Sequence, residues 1–388
     1  MIITKIAVKN WRNFRHAEVS LQDTTYIIGP NASGKSNFLD VFRFLRDVAN
    51  TQGGGLAKAL EMRGGYSKVR CLAARQNPNI CIVVELAESP SNPIPLWRYE
   101  LEIGQQSRGL FLPKVVLEKV FSYQCNEYVL QRPDDKDKED PRLLTQTAIE
   151  QLSMNGSFRE IADFFSRIIY LHLVPQLLKY GSELAVKKLT NDPFGQGFLE
   201  KIAMTSEKSR KSRLSRIESI LKKAIHGFSD LSFAMDKAGQ PHLQMRYIHW
   251  RAKGGFQTEE DFSDGTLRLI GLLWTLLENG SLILLEEPEL SLNRAVVSKI
   301  PEMIQRARES RKKGDSGQIF VSTHSEALLS SPIIRGQYLT ILPSKKEGEG
   351  SMIQGPSERD LAGFNAGMSP AEILLPRTDV EMGEIGKM

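Results

Sequence analysis

Eight consecutive residues near the start of the chain, Gly29, Pro30, Asn31, Ala32, Ser33, Gly34, Lys35 and Ser36, fit the pattern G-x-x-x-x-G-K-[ST]. These residue types suit a polyphosphate. Glycines let the backbone wrap the anion, and the N–H groups of the loop and of a helix starting near Asn37 point at it. Lys35 supplies a point charge for the β- and γ-phosphates of a nucleotide, and the Ser36 hydroxyl a ligand for magnesium. At average residue frequencies, about one chain in a hundred of this length would show the pattern by chance.

Three further clusters could share that chemistry. An apolar run, Ser281 to Leu285, delivers Glu286, Glu287 and Glu289. Carboxylates at the C-terminal end of a buried parallel strand stand where open sheets bind ligands. Glu286 is expected to hold magnesium through water, and Glu287 to orient or deprotonate an attacking water. Glu289 reads either as a further acid or as a surface charge at a helix start. Upstream, Asp261-Phe262-Ser263-Asp264-Gly265-Thr266 opens a helix. A serine hydroxyl and a glycine N–H there make a second phosphate site, although a helix cap alone would also explain Ser263 or Asp264. Finally, Ser322-Thr323-His324-Ser325 follows a strand, and His324 could reach a γ-phosphate from its end.

The elements that position these groups follow from hydrophobic spacing. Strand-like runs cover 2–8, 24–28, 80–86 and 97–103, and Phe38, Val41, Phe42 and Leu45 recur at helical spacing. A strand over 115–123 precedes DDKDKED at 134–140, which reads as an exposed loop. Between 201 and 225, Leu214, Ile217, Leu221 and Ala224 form one apolar stripe. A hairpin over 231–235 and 242–248 follows. Helix over 266–278, strand over 282–285, helix over 294–311 and strand over 318–322 then alternate, which implies a parallel sheet. The last forty residues or so read as a loosely ordered tail, with Leu361 and Phe364 followed by MSPAEILLPRTD as a docking strip.

Composition excludes several classes. The chain has 388 residues, 41% hydrophobic and 25% charged, the mixture of an ordinary globular protein rather than a disordered or fibrous one. It has no apolar run long enough to span a membrane. The start, MIITKIAVKNWRNF, reads as a strand rather than a signal peptide. Three cysteines, Cys71, Cys81 and Cys125, show no metal-ligand spacing and point to a reducing cytoplasm. The net charge of +5 leans mildly toward anionic partners.

Taken in order, GPNASGKSN, FSDGT, EEPE and STHS resemble the Walker A, signature, Walker B and switch-histidine set of ATP-binding cassettes. The details, including KIAVKNWRNF and FSDGTLRLIGLL, are closer to the SMC, RecF and OLD-type group, and closest to its stand-alone AAA-family ATPases found in bacterial anti-phage systems. That resemblance implies an α/β ABC-type P-loop ATPase head with a mainly parallel core sheet, an antiparallel β subdomain and an inserted, largely helical region. The expected divisions are 1–110 (Walker A part), 111–229 (insertion), 230–345 (signature, Walker B and switch histidine) and 346–388 (tail). It also implies ATP and Mg2+ as ligands and a head-to-head homodimer closed by ATP. Ser263 and Gly265 would then act in trans on the partner's nucleotide, with 290–293 at the seam. Arg12 or Arg15, beside the first strand, would either reach the nucleotide or be plain surface arginines. An insertion of about 120 residues is too short for a long coiled-coil arm, and the 64 residues after His324 are too few for the nuclease domain of OLD proteins. A separately encoded effector such as a nuclease is therefore expected, in anti-phage defence or, alternatively, RecF-like DNA repair.

DNA is a possible partner. Lys208, Arg210, Lys211, Arg213 and Arg216 lie on the polar side of the 201–225 stretch and could neutralise phosphates, or form a solvated face. Arg306, Arg308, Arg311, Lys312 and Lys313 suit a helix C-terminus on dipole grounds alone.

Overall fold

The computed structural model describes the chain apart from residues 75–76, 90–91, 107–110, 181–193, 249–255, 311–316, 335–337, 344–349 and 379–388. Two compact units share the chain. The first takes 1–169, 280–284 and 311–388; the second takes 170–279 and 285–310.

In the first unit an antiparallel sheet is built from β1 (Ile2–Trp11), β2 (Phe14–Ser20), β4 (Ile80–Ser89), β5 (Asn92–Gln105), β6 (Pro113–Ser122) and β7 (Glu127–Arg132), in the order β2-β1-β4-β5-β6-β7. Alternation fixes its faces: Ile80, Ile82, Val84 and Leu86 of β4 are all fully buried. Strands β6 and β7, residues 113–132, pair in this same sheet beside β5.

The other sheet is ordered β15-β14-β3-β13-β12-β8, from β3 (Thr24–Ile28), β8 (Ile169–Leu171), β12 (Leu282–Glu286), β13 (Gln318–Thr323), β14 (Tyr338–Pro343) and β15 (Ser351–Gln354). Strands β13 and β14 pair with β3 in parallel, and β15 closes the edge antiparallel to β14. Every residue of β3 and β13 is buried, the signature of a parallel sheet covered on both faces. Helix α1 (Lys35–Ala49) supplies part of that cover. Its Phe42 ring lies 5.1 Å from Phe320 of β13. Short helices α2 (Leu56–Glu61), α3 (Tyr66–Val69), α4 (Asp135–Glu139) and α5 (Arg159–Ser166) complete the N-terminal part. The parallel sheet, the antiparallel sheet and the helical regions together are the expected fold class.

In the second unit α6 (Pro175–Tyr180), α7 (Phe198–Met204), α8 (Glu207–Ala224), α9 (Asp264–Leu276), α10 (Arg294–Val297) and α11 (Ile300–Glu309) accompany a small antiparallel sheet of β9 (Phe228–Met235), β10 (Pro241–Tyr247) and β11 (Gln257–Thr258). The stripe Leu214, Ile217 and Leu221 of α8 is buried in one core with Leu231, Leu243, Met245 and Trp274. Burying each such side chain contributes about 1.5–3 kcal/mol.

Four expectations change. The 201–225 stretch is two helices, broken at Thr205 and Ser206. The helix expected over 294–311 is also two. Pro301 sits in the first turn of α11, where its missing N–H costs nothing, and could not have continued a helix from α10. The cluster 134–140 is not a free loop: Asp134 and Asp137 form a capping box on α4, and Asp137 binds the buried Arg132 at 2.7 Å. In the C-terminal stretch the described residues 350–378 form β15, α13 (Glu358–Asn365) and α14 (Pro370–Thr378). Within the expected docking strip Leu374 is fully buried and Ile373 packs against Gly363, whereas Leu361 is exposed. Among the described residues no helix is long and apolar enough to cross a membrane.

Candidate functional site

The loop from Gly29 to Gly34 joins β3 to α1. Gly34 adopts φ +106°, and a Cβ there would stand 2.2 Å from Asn13 Nδ2, so both backbone and space demand glycine. Asn13 is the bracket of this loop. Its amide donates to the Ser33 carbonyl at 3.2 Å and to Ser351 Oγ at 2.7 Å, while its Oδ1 accepts from Asn37 Nδ2 at 2.7 Å. The Ser351 backbone N–H donates to the Asn13 carbonyl at 2.8 Å, which ties β15 to the same point. Trp11 Nε1 donates to the Asn37 carbonyl at 2.9 Å.

Lys35 is buried at the head of α1, its ammonium donating to the carbonyls of Gly29 (2.9 Å) and Pro30 (3.1 Å). Ser36, Asn31 and Ala32 are exposed, and Ser33 is buried with a hydroxyl that has no hydrogen-bond partner. A loop held from behind, a helix N-terminus, a lysine gathered among loop carbonyls and an unsatisfied buried hydroxyl fit a nucleotide's phosphates. Among the described residues no group of three or more His, Cys, Asp or Glu could hold a metal.

Beneath the loop lies a charge network that sequence reading missed. Asp40 of α1 accepts from Arg12 at 2.7 Å and Arg63 at 2.9 Å, and Asp47 accepts from Arg63 at 2.9 Å and Arg46 at 2.9 Å. Burial alone would raise the Asp40 carboxyl, but the charges of Arg63 and Arg12 outweigh it and hold it below the usual carboxylate range. Arg12 therefore anchors α1 instead of standing free for a ligand, and Arg15 is an exposed residue of β2. Only the acid and arginine spacing hinted at this, because Arg63 lies 23 residues from Asp40.

Register brings His324 to the same place. Thr323 of β13 pairs with Ile28 of β3, so the chain leaves two adjacent parallel strands at one end, into Gly29 and into exposed His324. Ser325 then caps a short helix, α12 (Glu326–Leu329).

The second unit holds the remaining candidates. Ser263 caps α9, its Oγ accepting from the Thr266 N–H at 3.1 Å, so the capping role is real whatever else the hydroxyl does. A Cβ on Gly265 would stand 2.4 Å from the Ser291 carbonyl. Close backbone approach thus joins the FSDGT turn to the 290–293 segment. Asp264 is paired with Lys179 at 3.1 Å.

Glu286 ends β12 and accepts a short hydrogen bond from the Tyr170 hydroxyl, a residue that no motif announced. Glu287 turns the chain at φ +42°, and Ser291 at φ +62°. For non-glycine residues these are costly backbone positions, of the kind that cluster at functional sites. Arg268 of α9 is partly buried, and burial lowers its basicity against the opposing charges of Asp264 and Glu287. Glu289 is buried rather than a surface charge.

Along the basic helix most of the candidate cations have local roles. Arg210 donates to the Ala203 carbonyl at 2.9 Å and lies over the Phe233 ring; Arg213 lies over Trp274. Lys211 pairs with Glu207 one turn away. Lys208 and Arg216 are exposed. Arg311, Lys312 and Lys313 lie outside the described residues.

The family model described as "AAA domain, putative AbiEii toxin, Type IV TA system" matches residues 25–330. "DNA replication and repair protein RecF" of Bacillus mycoides (strain KBAB4) is 25% identical over 119 residues, 29% of this chain. The match spans only 32% of that relative's length. Among solved structures, the SMC head bound to the C-winged helix domain of ScpA superposes with a TM-score of 0.54 at 14% identity, over 92% of this chain and 98% of that one. The SMC head domain from Thermotoga maritima matches with a TM-score of 0.45 at 13% identity, over 92% of this chain and all of that one.

Proposed function

Because the chain belongs to this AAA domain family, and is an SMC/RecF-like ABC-type ATPase with the fold of an SMC head, we propose that it is an ATP-gated switch. It binds ATP at the Gly29–Asn37 loop, and ATP draws two copies head to head. The observation that carries this reading is the loop itself: Asn13, Gly34, Ser33 and Lys35 build a phosphate cradle at a helix N-terminus beside His324.

In this mechanism the nucleotide's phosphates draw Lys35 from the Gly29 and Pro30 carbonyls, trading neutral partners for a charge-assisted contact. Ser36 and, by way of water, Glu286 would be the residues to hold magnesium, which when bound would supply neutralisation of phosphate charge. Glu287 orients the attacking water and takes its proton, a role worth about 10²- to 10⁴-fold in rate. His324 donates to the γ-phosphate. Ser263 and Gly265 of one copy face the nucleotide of the other, which completes each site only in the dimer. The closed and open forms then differ in affinity for a partner.

That partner is a separately encoded effector such as a nuclease, in anti-phage defence. The solved SMC head bound to a domain of another protein offers a precedent for docking a partner. A second reading is supported by the relative named for DNA replication and repair: the same switch would act in repair, on DNA directly. Hydrolysis by the purified chain, with and without double-stranded DNA, separates them. Stimulation by DNA favours the repair reading, and indifference to DNA favours a protein partner. Absence of any hydrolysis or ATP binding would overturn both.

A further inference from the structure

The second unit contains a cavity of about 510 Å³ that the proposed ATP chemistry does not use. It lies among α8, the C-terminal end of α9, and α10 with α11. Its wall is mostly apolar, with Ile220, Leu273, Leu276, Leu277, Val296 and Met303 among the lining side chains. Its volume falls within the roughly 300–1,000 Å³ of small-molecule sites, which are concave, mostly apolar and carry a few placed polar groups.

Charge at this cavity is one-sided. Arg216, Lys223, Lys299 and Arg306 line it, against one carboxylate, Glu302, which is engaged with Lys299 at 2.8 Å. Arg216 and Lys223 are exposed and form no ion pair among the described residues, although the neighbouring Lys222 is paired with Glu218. Snorkelling explains long cations over apolar surface on a helix face. It does not explain why cations from two helices converge on one apolar hollow.

We propose that this cavity binds an amphiphilic anion, with an aliphatic body against the leucines and an acidic head between Arg216, Lys223 and Arg306. The ligand lies against the far end of the helix that begins at Ser263 and against the helix that follows Asn293.

The test is displacement of 1-anilinonaphthalene-8-sulfonate fluorescence from the full chain by decanoate, with decanol as the uncharged twin. Decanoate is expected to displace the dye at a concentration at least tenfold lower than decanol does. The pair Arg216→Glu and Lys223→Glu, both on the exposed side of α8, should erase that advantage and leave decanol unchanged. Ala224→Trp, which fills the cavity, should remove both. Should that variant fold poorly, the charge-reversed pair still decides. Equal potency of decanoate and decanol overturns the proposal, as does a decanoate advantage that survives charge reversal. Displacement by an acidic amphipathic peptide but not by decanoate would also overturn it, in favour of a protein partner.

Discussion

The loop around Lys35 and the turn after β12 both carry candidate chemistry, and they are built in opposite ways. The loop is held by redundant contacts. Asn13 reaches Ser33, Asn37 and Ser351, and α1 behind it is pinned by Arg12, Arg46 and Arg63 on Asp40 and Asp47. The turn instead carries costly backbone: Glu287 and Ser291 both sit at positive φ, and Gly265 is pressed to the Ser291 carbonyl. One region is preorganised for an anion that must be held the same way every time. The other places positive-φ backbone at the residues that the proposed mechanism assigns to proton transfer and to the contact between copies.

The largest effects should separate the two regions by kind. Lys35→Ala is expected to abolish ATP binding, whereas Glu287→Gln should keep binding and lose about 10²- to 10⁴-fold in turnover. Equilibrium binding of a fluorescent ATP analogue beside a phosphate-release assay reads both. Normal affinity in the first variant, or normal turnover in the second, would remove that residue's role.

Next in size is the network under the loop. Asp40→Asn strips an anion from buried Arg63 and should cost about 3–5 kcal/mol of stability, seen in denaturant melts. A loss below about 1 kcal/mol would mean that Asp47 alone suffices for Arg63. Asn13→Ala removes the bracket without touching phosphate. At about 1–3 kcal/mol for the groups it leaves unsatisfied, the KM for ATP should rise about tenfold with kcat little changed. A fall in kcat at constant KM would assign Asn13 to a different step.

The smallest effect is the pH response, and it has opposite signs in the two units. Asp40 is held low, so its stabilisation is present above the ordinary carboxyl pKa of about 3.9 and is lost as pH falls through its lower folded value. His242 is opposed by burial but raised above its ordinary value by Glu259, at 2.8 Å, and by Asp236. Its contribution is full below about pH 6.5 and is lost as pH rises through the folded value. Melting temperatures of the parent and His242→Gln should therefore converge as pH rises from about 6.5 through the folded value, and parallel curves would remove the histidine's part.

How far sequence carried the reading depends on whether a signal was local. The strand, loop and helix around Lys35, the buried strand before Glu286, the helix opened by Ser263 and the stripe on α8 were legible because each is a periodic or capped segment complete in itself. Asn13, Tyr170 and Arg63 were not, since the polar and charged groups that define their roles lie 16 or more residues away and no pattern links them. The cluster at 134–140 looked like a solvated loop because composition cannot show that Arg132 is buried beneath it. The C-terminal stretch misled for a related reason: β15 and the two short helices after it are too brief to show a period, and gain their order from β14, Asn13 and each other.

The central claim is that ATP joins two copies, and sedimentation velocity of the Glu287→Gln chain tests it most directly. With ATP and magnesium the account predicts a dimer, which reverts to monomer when the same chain also carries Lys35→Ala. A chain that binds ATP with normal affinity yet sediments as a monomer at every protein concentration tried would contradict it.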